Sequence, residues 1–143
     1  GASSNEFLEI FKKAWTEDPI SFDGEFYSFP ELRCMPQPVQ DPHPPIWIGG
    51  HSKPARRRVA KYGDGWVIPG AGVDDLPDML AKLRAACEVE GRNYDEIELT
   101  TMWGPKGGAD SLKALADLGV SRVVTIPGGD LDAIKSVAEA HIR

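Results

Sequence analysis

Apolar residues first recur at helical spacing. Phe7, Leu8, Phe11, Ala14 and Trp15 mark one face of a helix that Asp18 and Pro19 bring to an end. Ser3, with Glu6 three positions on, predicts a capping box at its start. The period then shortens. Ile20, Ser21 and Phe22, then Asp23 and Gly24, then Glu25 to Phe29 place an Asp-Gly pair between alternating apolar positions, which predicts a tight hairpin. From Pro30 to Pro45, six of sixteen positions are proline. That density removes backbone donors and favours extended chain, so the segment is a connector through which no helix or central strand runs.

Beyond the connector a short apolar run, a glycine-bearing loop and a helical stretch repeat four times. The strands predicted are Ile46 to Ile48, Gly65 to Ile68, Ile97 to Trp103 and Arg122 to Ile126. The helices run from Ser52 to Tyr62, Asp75 to Glu90, Asp110 to Leu118 and Asp130 to Ile142. The first three stop at Gly63, Gly91 and Gly119, where left-handed cap residues are expected. Asp110 and Asp130 stand where N-cap side chains would accept amide hydrogen bonds. Strands alternating with helices imply an α/β fold with a parallel sheet.

The chain has 143 residues, enough for one domain spanning 1–143 that folds without disulfides or a structural metal. Its net charge of −6 argues against a nucleic-acid partner, whose affinity rests on a basic face. Arg56, Arg57 and Arg58 form the one basic run. The apolar stretches fall well short of the roughly 20 residues a membrane crossing needs, so no membrane partner is expected. Cys34 and Cys87 stand apart, with no CxxC and no nearby His pair. This is the usage of a reducing compartment, and the expectation is a cytoplasmic protein without a metal site.

Nine of the fifteen glycines fall in the four loops that follow strands. In parallel α/β proteins that end of the sheet carries the site, and glycine there lets backbone amides approach a phosphate at a helix amino terminus. Closing short turns is the other use of such glycines, and neither GxGxxG nor GxxxxGK[ST] occurs. His51 directly follows Gly49 and Gly50, at a strand mouth and before a helix that Ser52 caps. It has no partner in sequence that defines it as a general base. Asp64 precedes a strand, the end associated with stability rather than catalysis. Trp47, Trp66 and Trp103 lie on strands, where aromatic residues are core in most cases and a stacking surface in a few. No catalytic residue is assigned.

Longer segments carry a family likeness. Phe22-Asp23-Gly24-Glu25-Phe26-Tyr27, then Pro36-Gln37-Pro38-Val39-Gln40, then PPIWIGGHSKPARRRVAKYGDGWVIPG from Pro44 to Gly70 resemble the luciferase-like monooxygenase family. LADLGVSRVVTIP from Leu115 to Pro127 is compatible with it. The resemblance implies a (β/α)8 barrel that uses FMN, or the related deazaflavin coenzyme, in oxidoreductase or monooxygenase chemistry on a small-molecule substrate. It implies that the strand end Ile48, Gly49 and Gly50 lies beside the ring and ribityl region and that Gly70, Ala71 and Gly72 lie toward the phosphate, with His51 and Ser52, next to that strand end, among the candidate cofactor contacts. The chain matches four βα units, equivalent to the second half of such a TIM barrel, preceded by a helix, a hairpin and a Pro-rich connector.

Four parallel strands with helices on one face leave an uncovered inner face and two unpaired edges. The expectation is a homodimer, or a partner chain that supplies the other half-barrel. Three functional readings follow: a flavin-dependent enzyme domain, a non-catalytic half-barrel remnant acting as a dimeric flavin-binding or assembly protein, or an unrelated phosphate-sugar-binding α/β domain. A doubly wound sheet with helices on both faces is the alternative architecture.

Overall fold

The computed structural model describes residues 1–104, 108–125 and 131–141. The chain opens with α1 (Ala2–Thr16), a two-stranded antiparallel ribbon of β1 (Ile20–Asp23) and β2 (Ser28–Leu32), and a connector without helix or strand. It continues through β3 (Trp47–Gly49), α2 (Lys53–Tyr62), β4 (Gly65–Ile68), α3 (Leu76–Glu90), β5 (Glu98–Met102), α4 (Gly108–Asp117), β6 (Arg122–Val124) and α5 (Leu131–His141). A 3-10 turn at Tyr94–Glu96 leads into β5.

The four later strands form one parallel sheet in the order β3-β4-β5-β6. Sequential order without reversal is the arrangement of a barrel arc; a doubly wound sheet would reverse at a switch point. The register sorts side chains to two faces. Ile48, Trp66 and Leu99 are lateral neighbours, and Ile68 pairs with Thr101. These residues point to the helices, where Trp66 and Ile68 are fully buried with Val59 of α2, Leu76, Leu80, Leu83 and Cys87 of α3, and Leu115 of α4. The alternate residues, Trp47, Gly65 and Glu98 in one row and Gly49, Val67, Thr100 and Arg122 in the next, define the inner face.

Several terminal details differ from expectation. α1 starts at Ala2, so Ser3 lies inside the helix and no Ser3–Glu6 capping box forms. The Glu6 carboxylate instead accepts backbone N–H groups of Glu25 at 2.7 Å, Phe26 at 2.9 Å and Tyr27 at 3.0 Å. The same contact explains the hairpin. Asp23 pairs with Ser28, and Gly24 to Tyr27 form a four-residue loop rather than a two-residue Asp-Gly turn, because three of its amides turn toward Glu6. Pro30 sits within β2, a strand of the small ribbon, as an edge position permits.

Gly91 and Gly119 have φ of +66° and +88°, the expected left-handed caps. Gly63 has φ of −84°. Its constraint is space, since a Cβ there would stand 3.0 Å from the Val59 carbonyl oxygen. Asp110 lies in the first turn of α4, which begins two residues before it, and is not its N-cap. Asp130, Ile126 and Ile142 lie outside the described residues. Asp64 has the structural role expected of it: its Oδ2 accepts from Ile46 N at 2.7 Å and its own N–H donates to Ile46 O at 2.8 Å, which ties the entry of β3 to that of β4.

Candidate functional site

The carboxyl ends of β3 and β4 are adjacent in the sheet, so the loops after them stand side by side. Ile48 packs against the helix-side core, and Gly49 ends β3 with no atom within 4 Å of where a Cβ would be. Gly50 has φ of +100°, a conformation that excludes ordinary side chains. Its N–H donates to Val67 O at 3.1 Å, and its carbonyl accepts from Trp66 Nε1 at 2.6 Å. His51 is exposed and its carbonyl accepts from Arg56 Nη1. Ser52 caps α2 through its Oγ, which accepts from Ala55 N at 3.3 Å. Pro54 in the first turn favours helix initiation there.

The second loop is built differently. Gly70 has φ of +70° and open space around its Cβ position. Ala71 is 7% exposed and belongs to the helix-side core. Gly72 N–H donates to Asp75 Oδ2 at 3.3 Å, which places a carboxylate at the amino end of α3. The two helix starts therefore differ in charge. α2 opens with Lys53 and Arg56 and no acidic residue in its first turn, whereas α3 is preceded by Asp74 and Asp75 and carries Asp78.

Ile48, Gly49, Gly50, His51 and Ser52 thus form one continuous strand-end loop, with Gly70 and Gly72 on the neighbouring one. Ala71 contributes packing through its side chain. Bare backbone at Gly49 and Gly70, at the carboxyl ends of two neighbouring parallel strands, is a surface that fits a flat ring with polar edges. Sequence reasoning missed Asp75, and it gave Trp66 as core or a stacking surface rather than as the donor to Gly50 that it is. The only signal for Asp75 was an acidic residue three positions after Gly72, just before a helix; for Trp66 there was no local signal. Trp103 has the same habit, donating from Nε1 to Ser111 Oγ of α4 at 2.8 Å.

Groups with displaced pKa lie away from these loops. Burial and a hydrogen bond with Glu9 raise Tyr62, and burial raises Cys87 and Tyr94. A cleft of about 420 Å³ beside α2 is lined by Lys53, Arg57, Arg58, Lys61, Tyr62 and Glu90, among others. Its cations are largely answered: Arg57 pairs with Glu90 at 3.4 Å, Lys61 with Glu9 at 3.5 Å, and Arg58 Nε donates to Asn5 Oδ1 at 2.9 Å. It reads as the seam between α1 and α2. Among the described residues there is no His, Cys, Asp and Glu grouping able to hold a metal ion, and no helix is long and apolar enough to cross a membrane.

A parallel βα arc with glycine loops at its strand ends defines a protein of the TIM-barrel α/β class. Residues 2–123 match the family model for luciferase-like monooxygenases, and the chain belongs to that family. It is 35% identical over 88 residues to an FMNH2-dependent dimethylsulfone monooxygenase of Pseudomonas putida, covering 62% of this chain and 24% of that protein. An uncharacterized protein of Mycobacterium tuberculosis is 34% identical over 125 residues, covering 87% of this chain and 42% of the relative. The coenzyme F420-dependent tetrahydromethanopterin reductase of Methanopyrus kandleri superposes with a TM-score of 0.81 at 13% identity, over 96% of this chain and 61% of the other. DmoA from Hyphomicrobium sulfonivorans gives 0.61 at 19% identity, over 80% and 31%. The chain spans about a quarter to two-fifths of the length of these curated relatives.

Proposed function

We propose that this chain is the cofactor-binding half-barrel of a flavin-dependent oxidoreductase of the monooxygenase type. The observation that carries the reading is the Gly49–Gly50 loop, its far side held by Val67 and Trp66 and its near side bare. Relatives named for FMNH2 and for coenzyme F420 support a flavin or deazaflavin as the bound group. The backbone from Ile48 to Ser52 would hold the ring and ribityl region, and Gly70 to Gly72 would face the phosphate. When bound, the cofactor supplies the redox chemistry. The chain's own residues bind and orient it, and Ile48 and Ala71 anchor the two loops to the core.

The inner face supports a second element of the reading. Val67 and Met102 are half-buried, Val124 is 42% exposed, and among the described residues β3 and β6 are the edges of the sheet. A second copy, or a partner chain with four more strands, would cover this face and complete the substrate pocket. A light-scattering mass of one chain at micromolar concentration rejects the dimer. If the face instead serves assembly alone, the protein is a non-catalytic remnant, and the two readings part on cofactor retention.

Equilibrium titration with FMN, followed by flavin fluorescence, tests the central reading, with Gly50→Val as its control. Saturable binding that weakens at least about tenfold in the variant is expected, because valine cannot adopt a φ of +100° without strain. Absence of binding in both proteins rejects the flavin reading.

A further inference from the structure

Trp66 controls the direction of a peptide it does not belong to. Its indole Nε1 donates to Gly50 O at 2.6 Å, and the side chain is fully buried, so packing of β4 against α2 and α3 fixes where that N–H points. Gly50 N–H is already committed to Val67 O at 3.1 Å. Arg56 Nη1 holds the next carbonyl, that of His51.

A trans peptide is planar, with its C=O and N–H directed oppositely. The Gly50 carbonyl turned toward the buried indole therefore turns His51 N–H away from the helix-side core. The His51 carbonyl turned toward Arg56 directs Ser52 N–H away from that guanidinium in the same manner. A flip of the Gly50–His51 peptide turns ψ of Gly50, which glycine leaves free, together with φ of His51, which as a non-glycine residue keeps a negative value. The hydrogen bond from Trp66 adds to that preference and fixes the carbonyl on the indole.

We propose that Trp66 is a positioning residue of the cofactor site: by holding the Gly50 carbonyl, it aims His51 N–H at an oxygen acceptor of the flavin. This rests on the flavin reading above. The flavin reading places the ring beside this loop, so a ring carbonyl is the expected acceptor; a phosphate oxygen offers the same chemistry toward an amide donor. Riboflavin, which lacks the phosphate, separates the two.

The test replaces residue 66 with benzothienylalanine, which keeps the shape of the indole with sulfur in place of N–H, alongside Trp66→Phe. FMN and riboflavin are titrated into each protein, and thermal midpoints are recorded as the measure of a merely structural role. Expected is about tenfold weaker FMN binding in the isostere with its midpoint close to that of the parent protein. Equal weakening for riboflavin assigns the contact to the ring, and weakening for FMN alone assigns it to the phosphate. Unchanged affinity for both flavins in the isostere overturns the proposal. A parent protein that binds neither flavin rejects the function reading separately. In that event the cofactor role of Trp66 falls with it, and the His51 amide resonance in the isostere reports only whether the indole orients this peptide.

Discussion

The Arg122 guanidinium stands 4.4 Å from the centre of the Trp47 ring, although Trp47 begins β3 and Arg122 begins β6, the two outer strands of the sheet. Neighbouring strands are about 4.8 Å apart, so three spacings separate the two backbones in a flat sheet. The contact is made on the inner face, where the long side chains of both residues reach across β4 and β5. Gly65 makes room for it: a Cβ there would stand 2.6 Å from carbons of the Trp47 ring. Arg122 also pairs with Glu98 at 3.2 Å, so the inner end of the arc is held by one guanidinium serving two strands.

Arg122→Ala therefore removes a cation–π contact and an exposed ion pair together. We expect a loss of about 1 kcal/mol in urea unfolding and an altered Trp47 emission. Unchanged stability together with unchanged emission would show that this cross-arc contact is not made in solution.

Asp75 occupies the Gly72 amide, where the flavin reading puts a phosphate nearby. A carboxylate at that position repels a second anion and takes its donor. Asp75→Asn is expected to raise FMN affinity about threefold or more while leaving riboflavin affinity unchanged. An equal effect on both flavins, or none on FMN, places the phosphate away from the Gly70–Gly72 loop.

Stability should decline on the alkaline side. Burial pushes the Cys87 thiol above its ordinary 9.0, and burial raises Tyr94 and, with the Glu9 hydrogen bond, Tyr62 above 10.0. Each group keeps its proton in the folded state at a pH where the unfolded chain releases it. Their contribution is thus full below about pH 9 and is lost as pH rises through the folded values. Thermal midpoints from about pH 7 to 11 should be level and then fall, with the onset of the fall moved upward in Cys87→Ala. A midpoint that climbs over the upper part of that range would contradict this.

Much of the fold was legible because punctuation and periodicity agreed. Gly91 and Gly119 closed helices where expected, and β4 fell on the predicted residues. What was not legible depended on contacts between distant residues. Ser3 and Glu6 have capping-box spacing, yet the Glu6 carboxylate was claimed by amides 19 to 21 positions away. The Asp-Gly hairpin widened for the same reason. At the candidate site, glycine bias and family likeness singled out two loops, and the structure sets them side by side. The bonds from Trp66 to Gly50 and from Arg122 to Glu98 cross between elements, and no local pattern encodes them.

The most direct test of the central claim is a map of backbone amide shifts as FMN is added to the isotope-labelled chain. The largest changes are expected at Ile48 to Ser52 and at Gly70 to Gly72, with small ones at Asn5, Arg58 and Tyr62 along the α1–α2 seam. Changes concentrated at that seam, or spread evenly over the surface, would contradict a cofactor site at the carboxyl ends of β3 and β4.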